Sequence, residues 1–247
     1  MASPAQVDLV LVIDTSSSMR PCIEQLKMHL KELIKPMQGQ VGRVRFGLVG
    51  LSASAKDGAV VYVPRTLAGD TESIGWLYGG DAQREFLTGD PDKVIARLDT
   101  FTVTGDEDNL VALDIALDHP FGPVSTTKRV VALFSDEKLE AGAQRTAIKE
   151  YIPRIVEKLH ARRIKLFCAM PYSDAAQQLS EANGSEIEDV GGQGLSTVDF
   201  KALLGQMGKS ISVSSLQGAL EEKYERALFD QDEWVNTNAD WADSDNG

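Results

Sequence analysis

Residues 7–19, VDLVLVIDTSSSM, are an apolar run that ends in one carboxylate and a cluster of hydroxyls. Valine, leucine and isoleucine fill the run almost completely up to Asp14, which is typical of a strand buried on both faces of a parallel sheet. Polar residues follow at once, and an amphipathic helical pattern begins near Pro21. The polar cluster is therefore predicted to lie on a strand-to-helix loop at the carboxyl edge of the sheet, where open α/β folds bind their ligands.

Three polar side chains alternate along this loop: Asp14, Ser16 and Ser18. Alternate side chains of an extended backbone share one side, so their oxygens can converge on a single point. One carboxylate and two neutral hydroxyls form an oxygen-only ligand set of low charge, which suits Mg²⁺. The alternative is that the serines only cap the following helix, because serine and aspartate are both good caps. The local spacing leaves both interpretations open.

The rest of the chain alternates patterns of buried strands and amphipathic helices. Further strands are predicted at residues 44–51, 59–67, 130–134, 164–170 and 186–190, with a short strand beginning at Phe86. Helices are predicted at residues 21–34, 110–117, 148–159, 174–182 and 200–207, and another opens at Asp90 or Pro91 with Leu98 facing inward. Pro64 cannot donate to a sheet ladder, so it predicts an edge strand, or the end of one. Pro153 predicts a kink in its helix, or a new helix start near Tyr151. One α/β domain followed by a tail accounts for these patterns and for the length of 247 residues.

Composition limits the possible partners. The net charge of -12 and the pI near 4.7 argue against binding to nucleic acid or to an anionic membrane surface, and favour basic partners or multivalent cations. Cys22 and Cys168 fall in a predicted helix and a predicted strand, so they are expected to be reduced packing residues. No apolar run approaches the roughly 20 residues of a spanning helix, and no leader precedes the first strand. We therefore expect a soluble, cytoplasmic protein.

The first loop resembles the Asp-x-Ser-x-Ser loop of the von Willebrand factor type A (vWA) domain family, and the resemblance extends over residues 5–214. In that family the loop begins a metal-ion-dependent adhesion site (MIDAS), which a Thr on a second loop and an Asp on a third loop complete. The resemblance implies a Rossmann-like, three-layer α/β/α fold with a mostly parallel central sheet and one antiparallel edge strand. It also implies that Asp14, Ser16 and Ser18 bind Mg²⁺, with Mn²⁺ or Ca²⁺ as alternatives.

The sequence also contains candidates for the third and second loops of such a metal site. Asp136 follows the predicted strand of residues 130–134, and the resemblance implies that it reaches the metal through water. The second loop resembles the Gly-Gly-Asp-x-x-Glu variant of bacterial vWA domains, so Asp106 would replace the threonine, with Thr104 and Asp108 as competing candidates. The alternative is that these acidic residues only complement the dipole of the helix that follows.

The resemblance implies a function in binding. A partner protein would supply an Asp or Glu carboxylate to the open coordination position of the metal, and the chain would act as a non-enzymatic adaptor. Intracellular bacterial members of the family are often encoded with AAA+ ATPases or conflict-system effectors, so a partner of that kind is expected by analogy. Neither nucleic acid nor a membrane is expected as a partner.

Residues 215–247 provide an alternative mode of recruitment. They combine an amphipathic helical pattern with an acidic tail that carries Trp234 and Trp241, and this composition predicts partial disorder. A metal-independent scaffold could recruit partners through this tail. Catalysis is the least favoured alternative: no G-x-S-x-G motif lies at a strand-to-helix turn. Ser16 also stands where a phosphatase of the haloacid dehalogenase type has its second acid, which disfavours a Mg²⁺-dependent hydrolase.

Overall fold

A computed structural model describes residues 6–37, 41–56, 59–70, 85–101, 108–139, 148–191, 195 and 198–212. The strands of this part of the chain are β1 Gln6–Asp14, β2 Arg43–Lys56, β3 Ala59–Thr66, β4 Gly69–Asp70, β5 Thr127–Phe134, β6 Ile164–Met170 and β7 Glu186–Asp189. They form one sheet in the order β4-β3-β2-β1-β5-β6-β7. β1 is thus the central strand, as its continuous apolar sequence requires.

The sheet is mostly parallel. β1 pairs in parallel with β2 and β5, and the parallel pairing continues through β6 to β7. β3 runs antiparallel to β2, and the two-residue β4 is antiparallel to β3. Among the described residues, β4 covers only Arg65 and Thr66 of β3, so β3 is the outermost strand over residues 59–64, and the edge position predicted for Pro64 is confirmed.

Helices cover both faces of the sheet. They are α1 Arg20–Ile34, α2 Pro91–Leu98, α3 Asn109–Leu117, α4 Ile148–Ala161, α5 Asp174–Ser180 and α6 over residues 200–212. α1, α2 and α6 build the core on one face, and α3, α4 and α5 build the core on the other face. The two cores meet at β1, where Leu11 belongs to the first and Val12 to the second, because successive side chains of a strand point to opposite faces. The predicted three-layer α/β/α fold is confirmed.

α3 differs from the other helices because all nine of its residues are buried. Its sequence, NLVALDIAL, is apolar on every side except for Asn109 and Asp114. A helix of this composition belongs inside a protein. It lies against β1, β2 and β5 on one side and α4 on the other.

One helix boundary differs from the prediction. α4 runs without a break from Ile148 to Ala161 and contains Pro153, so the predicted new start near Tyr151 is wrong. The proline removes one backbone hydrogen bond near the amino end of the helix, and the buried side chains of Ile152, Ile155 and Leu159 hold the helix on the sheet. Burial of an apolar face outweighs the local cost of a proline here.

Three other predictions concern the cysteines, membrane-spanning helices and the end of the domain. Cys22 and Cys168 are free and buried, as predicted. Among the described residues, no helix is long and apolar enough to cross a membrane. The predicted domain end at residue 214 and the tail of residues 215–247 lie outside the described part of the chain.

Candidate metal centre

Asp14 and Ser135 leave the sheet side by side at its carboxyl edge. β1 and β5 are parallel neighbours, with Ile13 aligned to Phe134, so the next residue of each strand ends at the same level. The Ser135 hydroxyl lies 2.7 Å from Asp14 Oδ2. Asp14 is 2% exposed and Ser135 is fully buried. The strand register therefore fixes one side of the Asp14 carboxylate.

The first loop folds back over the other side of this carboxylate. The backbone N–H of Ser16 donates to Asp14 Oδ1 at 2.8 Å. The hydroxyl oxygens of Ser16 and Ser18 are 2.9 Å apart, and the Ser16 hydroxyl is 3.5 Å from Asp136 Oδ1. The structure thus brings together four of the five predicted ligands: Asp14, Ser16, Ser18 and Asp136.

The serines of this loop do not cap a helix. A 3₁₀ turn, Ser17–Met19, precedes α1, and Ser16 occupies its N-cap position without a side-chain cap hydrogen bond. Met19 is the N-cap residue of α1. The hydroxyls of Ser16 and Ser18 point instead to each other and to Asp136. The capping interpretation of these two serines is therefore wrong.

The second loop is described only at its end. Thr104 and Asp106 lie outside the described residues, so their predicted roles stay predictions. Asp108 is the N-cap residue of α3, and its carboxylate accepts the backbone N–H of Val111 at 3.2 Å. A buried carboxylate at a helix amino end is favourable to the helix dipole, so Asp108 has a structural role whether or not it contacts a cation.

Asn109 is a site residue that the sequence reasoning missed. Its side-chain amide donates to the Ser135 hydroxyl at 2.9 Å and lies 3.5 Å from Asp14 Oδ2. Asn109 is the first residue of α3 and is 5% exposed. A polar residue at the start of an otherwise apolar helix, directly after the acidic second loop, is a signal that could have revealed it.

Ser135 was also missed as a contributor, and its hydrogen bonds are directional. Its oxygen accepts from the Glu137 backbone N–H at 3.0 Å as well as from Asn109. The hydroxyl has one hydrogen, and its oxygen is closer to Asp14 Oδ2 than to the Glu137 carbonyl at 3.0 Å. Bonds to a carboxylate are the shorter and stronger ones, so Ser135 donates to Asp14 and orients it.

The electrostatics of this edge are negative. Burial raises the pKa of Asp14, and the nearby charge of Asp136 raises it further, whereas the hydrogen bonds from Ser135 and Ser16 lower it. Burial together with the charges of Asp136 and Asp14 raises the pKa of the Cys22 thiol to about 11. Within the described part of the chain, no ion pair includes Asp14 or Asp136. These carboxylates are therefore not neutralised by a described lysine or arginine.

The donor set consists of oxygen atoms only, which is the ligand chemistry that Mg²⁺ prefers. The hydroxyls of Ser16 and Ser18 are hydrogen-bonded to each other at 2.9 Å, so both lie on the same side of the loop. In the described ranges, no group of three or more His, Cys, Asp or Glu side chains could hold a metal. A site here must therefore use hydroxyl ligands, which suit a hard cation better than zinc or another softer metal.

Access to the cluster is one-sided. Asp14 and Ser16 are buried, Asp136 is partly exposed and Ser18 is exposed. The protein surrounds the inner half of the cluster, and solvent reaches the half that contains Ser18 and Asp136. An external ligand can approach a bound cation from that side.

Comparisons with known proteins define the fold. No family model and no curated protein sequence matches the chain. Among solved structures, the chain is similar to the VWA domain of SpRpn10, with a TM-score of 0.51 and 13% identity over 83% of this chain and 97% of that chain. It is also similar to the human COPII-coat protein Sec24c, with a TM-score of 0.55 and 12% identity over 85% of this chain and 32% of that chain.

A third solved structure gives the same result. Proximal thread matrix protein 1 from the mussel byssus matches with a TM-score of 0.51 and 11% identity, over 85% of this chain and 46% of that chain. The chain therefore has a vWA-like fold. At these identities the likeness concerns the fold alone, and function has to be argued from the site.

Proposed function

We propose that this chain is a metal-dependent protein-binding module. Asp14, Ser16 and Ser18 would hold a divalent cation, Mg²⁺ before Mn²⁺ or Ca²⁺, with Asp136 acting through water and Asp106 or a neighbour completing the set. The cation, when bound, supplies an electrophilic position that an external carboxylate can occupy. The observation that carries the proposal is the convergence of two carboxylates and two hydroxyls with no described cationic side chain paired to either carboxylate.

The protein residues of the centre have separable tasks. Ser135 and the Ser16 backbone hold Asp14 in one orientation from its two sides, and Asn109 holds Ser135. Such supporting hydrogen bonds fix a metal ligand before the metal arrives. The exposed side, at Ser18 and Asp136, is where an Asp or Glu of a partner protein would enter.

Binding rather than catalysis is the proposed activity. Position 16 holds a serine, so Asp14 has no neighbouring acid that could protonate a leaving group from that position. vWA-like folds are known protein-interaction modules, which supports a protein partner in general. A cytoplasmic bacterial partner of the AAA+ ATPase or conflict-system type is the specific form of the proposal, by analogy.

The metal is tested by thermal unfolding of the full chain with and without MgCl₂. A ligand that binds only the folded state stabilises it by about 2.7 kcal/mol at 100 times its Kd, so Tm should rise with Mg²⁺ and saturate. Asp14→Ala should abolish the rise. Ser17→Ala is the matched control, because Ser17 is exposed and lies between the two predicted ligand serines.

The partner is tested by affinity capture from cells with Mg²⁺ and with EDTA. We expect proteins that are retained by the wild type and by Ser17→Ala in Mg²⁺, and lost with EDTA or in the Ser16→Ala/Ser18→Ala variant. An unchanged Tm with Mg²⁺, together with capture that needs only residues 215–247, would instead support the metal-independent scaffold. Phosphate release from an aryl phosphate that Asp14→Ala abolishes would support a hydrolase.

A further inference from the structure

A cavity of about 690 Å³ lies at the amino edge of the sheet, at the opposite end of β1 from Asp14. It is formed by the end of α1, the start of β2 and the turn that precedes α2. Its apolar lining consists of Ile34, Met37, Val41, Val44, Phe46 and Pro91. Cavities of roughly 300–1,000 Å³ with apolar walls hold most of the ligands that proteins bind, so an aromatic side chain fits here easily.

The rest of the lining is basic. Lys31, Lys35 and Arg43 contribute to the wall, and none of the described lining residues is acidic. Arg43 is exposed, and no ion pair of its side chain occurs among the residues that the structure describes. Lys31 and Lys35 pair with Asp92 and Glu32 at 3.0 and 2.7 Å, at exposed positions. Exposed ion pairs contribute little to stability, so both lysines can exchange their partners.

The last described residues of the chain, at the end of α6, lie beside this cavity. A Cβ on Gly208 of α6 would lie 2.4 Å from the Leu33 carbonyl oxygen and 3.2 Å from Pro36 Cγ. α6 therefore packs its glycine directly on the end of α1, next to the lining residues Ile34 and Lys35. The described part of α6 ends at Ser212, one turn later. The following segment thus starts at the same edge as the cavity.

The end of that segment has the complementary chemistry. Residues 229–247, which we call the acidic tail, contain three aromatic residues and no lysine or arginine. Their aromatic and acidic side chains are Phe229, Trp234, Trp241, Asp230, Asp232, Glu233, Asp240, Asp243 and Asp245. Trp234 lies about 20 residues beyond Ser212, and a chain of that length spans roughly 25 Å even when it is unstructured.

We propose that the acidic tail docks in cis into this cavity, with a tryptophan in the apolar part and the neighbouring carboxylates on Lys31, Lys35 and Arg43. An aromatic anchor surrounded by complementary charges is the usual form of a strong contact site. Attachment to the same chain raises the effective concentration of the tail to the millimolar range for a short linker. A weak site is therefore sufficient.

A second cavity has acidic rather than basic residues in its described lining. It measures about 290 Å³ and lies beside the edge strand β7, with Glu186 and Glu188 among its lining residues. Glu186 is paired with Lys165 at 2.6 Å, but the carboxylates of the tail would still meet the carboxylate of Glu188, and like charges cost free energy. The basic lining at the amino edge therefore distinguishes the larger cavity as the docking site.

Hydrogen exchange measured by mass spectrometry on the full chain tests this proposal. We compare the wild type with Trp234→Ala/Trp241→Ala, Arg43→Glu and both together. Amides of residues 31–37 and 41–46 should exchange about tenfold faster in each variant, which corresponds to about 1.4 kcal/mol of protection. Arg43→Glu should add nothing once both tryptophans are gone, which a purely local effect of the substitution would not show.

Arg163→Glu is the matched control. Arg163 is exposed between α4 and β6, at the same edge but on the other face of the sheet, and the variant changes the charge equally. It should exchange as the wild type does, and a synthetic peptide of residues 229–247 should restore protection to the double tryptophan variant. Equal exchange in every variant would overturn the proposal. Protection that increases with protein concentration would also overturn it, because the tail would then dock between copies.

Discussion

The central strand β1 carries a buried carboxylate near each end, and the two carboxylates have different hydrogen-bond partners. Asp8 is fully buried near the amino end and pairs with Arg45 through two hydrogen bonds of 2.8 and 2.6 Å. It also accepts the Gly122 backbone N–H at 2.7 Å. Asp14 is 2% exposed at the carboxyl end, and its donors among the described residues are all neutral. Asp8, which the protein neutralises with its own arginine, is part of the scaffold, whereas Asp14, which has no described cationic partner, is the carboxylate that we propose binds an external cation.

The largest expected effect concerns Asp8, the carboxylate that is paired with an arginine. Asp8→Ala leaves Arg45, whose side chain is 23% exposed, without its partner, and loss of one member of a buried pair costs up to about 3–5 kcal/mol. Urea unfolding at pH 7 measures this loss. Asp8→Ala with Arg45→Leu should recover part of it, because no unpaired charge remains. A loss under about 1 kcal/mol for Asp8→Ala would contradict the scaffold role.

His119 provides a pH-dependent probe of the amino edge. Burial lowers the pKa of His119 from 6.5 to about 4. Between these values the unfolded state binds the extra proton and the folded state does not. Stability should therefore fall by about 3 kcal/mol as the pH decreases from 6.5 to 4. Urea unfolding at several pH values should show a shallower dependence for His119→Gln, and equal slopes for the two proteins would refute this assignment.

Asn109 tests the role of Asp14, the carboxylate whose described donors are neutral. Asn109→Ala removes the donor that holds Ser135 on Asp14, and loss of a supporting contact weakens metal binding by about 10–100-fold. Isothermal titration with MgCl₂ should show a Kd at least about tenfold higher, whereas Ser17→Ala should keep the wild-type value. A wild-type Kd for Asn109→Ala would show that Asn109 only packs.

The smallest effect is expected at Asp14 without metal. Asp14→Asn keeps one acceptor for Ser16 and removes a buried charge that has no described cationic partner. With EDTA its free energy of unfolding should stay within about 1 kcal/mol of the wild type, in contrast to Asp8→Ala. Urea unfolding in EDTA measures the difference. A loss of about 3 kcal/mol or more would place Asp14 in the scaffold with Asp8.

Most of the fold could be predicted because the spacing of apolar residues that is typical of strands and helices can be recognised in short stretches of sequence. β6 was placed at its observed limits, residues 164–170, since its apolar run is bounded by polar residues. β2 extends to Lys56, beyond the predicted residue 51, because pairing with β3 lengthens it. That pairing depends on a contact between strands, which local periodicity does not contain. The same limit explains the incorrect helix start at Tyr151.

The candidate site could be predicted only in part, for a related reason. Asp14, Ser16 and Ser18 are neighbours in sequence, and Asp136 follows a second apolar strand, so their common edge could be inferred. The contacts of Asn109 and Ser135 with Asp14 join residues 95 and 121 positions apart. They depend on the strand register and on the position of α3 in the core, which no local motif reports.

The complete burial of α3 has a mechanical consequence for the candidate centre. Nine buried residues leave this helix no solvent-facing side along which it could slide or rotate without opening a cavity. Asn109 is the first residue of this helix, so its backbone is held in place by the packing of the whole helix. We therefore expect a change of side-chain volume at Leu113, about one turn away, to displace the Asn109 amide from Ser135, so that core packing would also affect the proposed cation site.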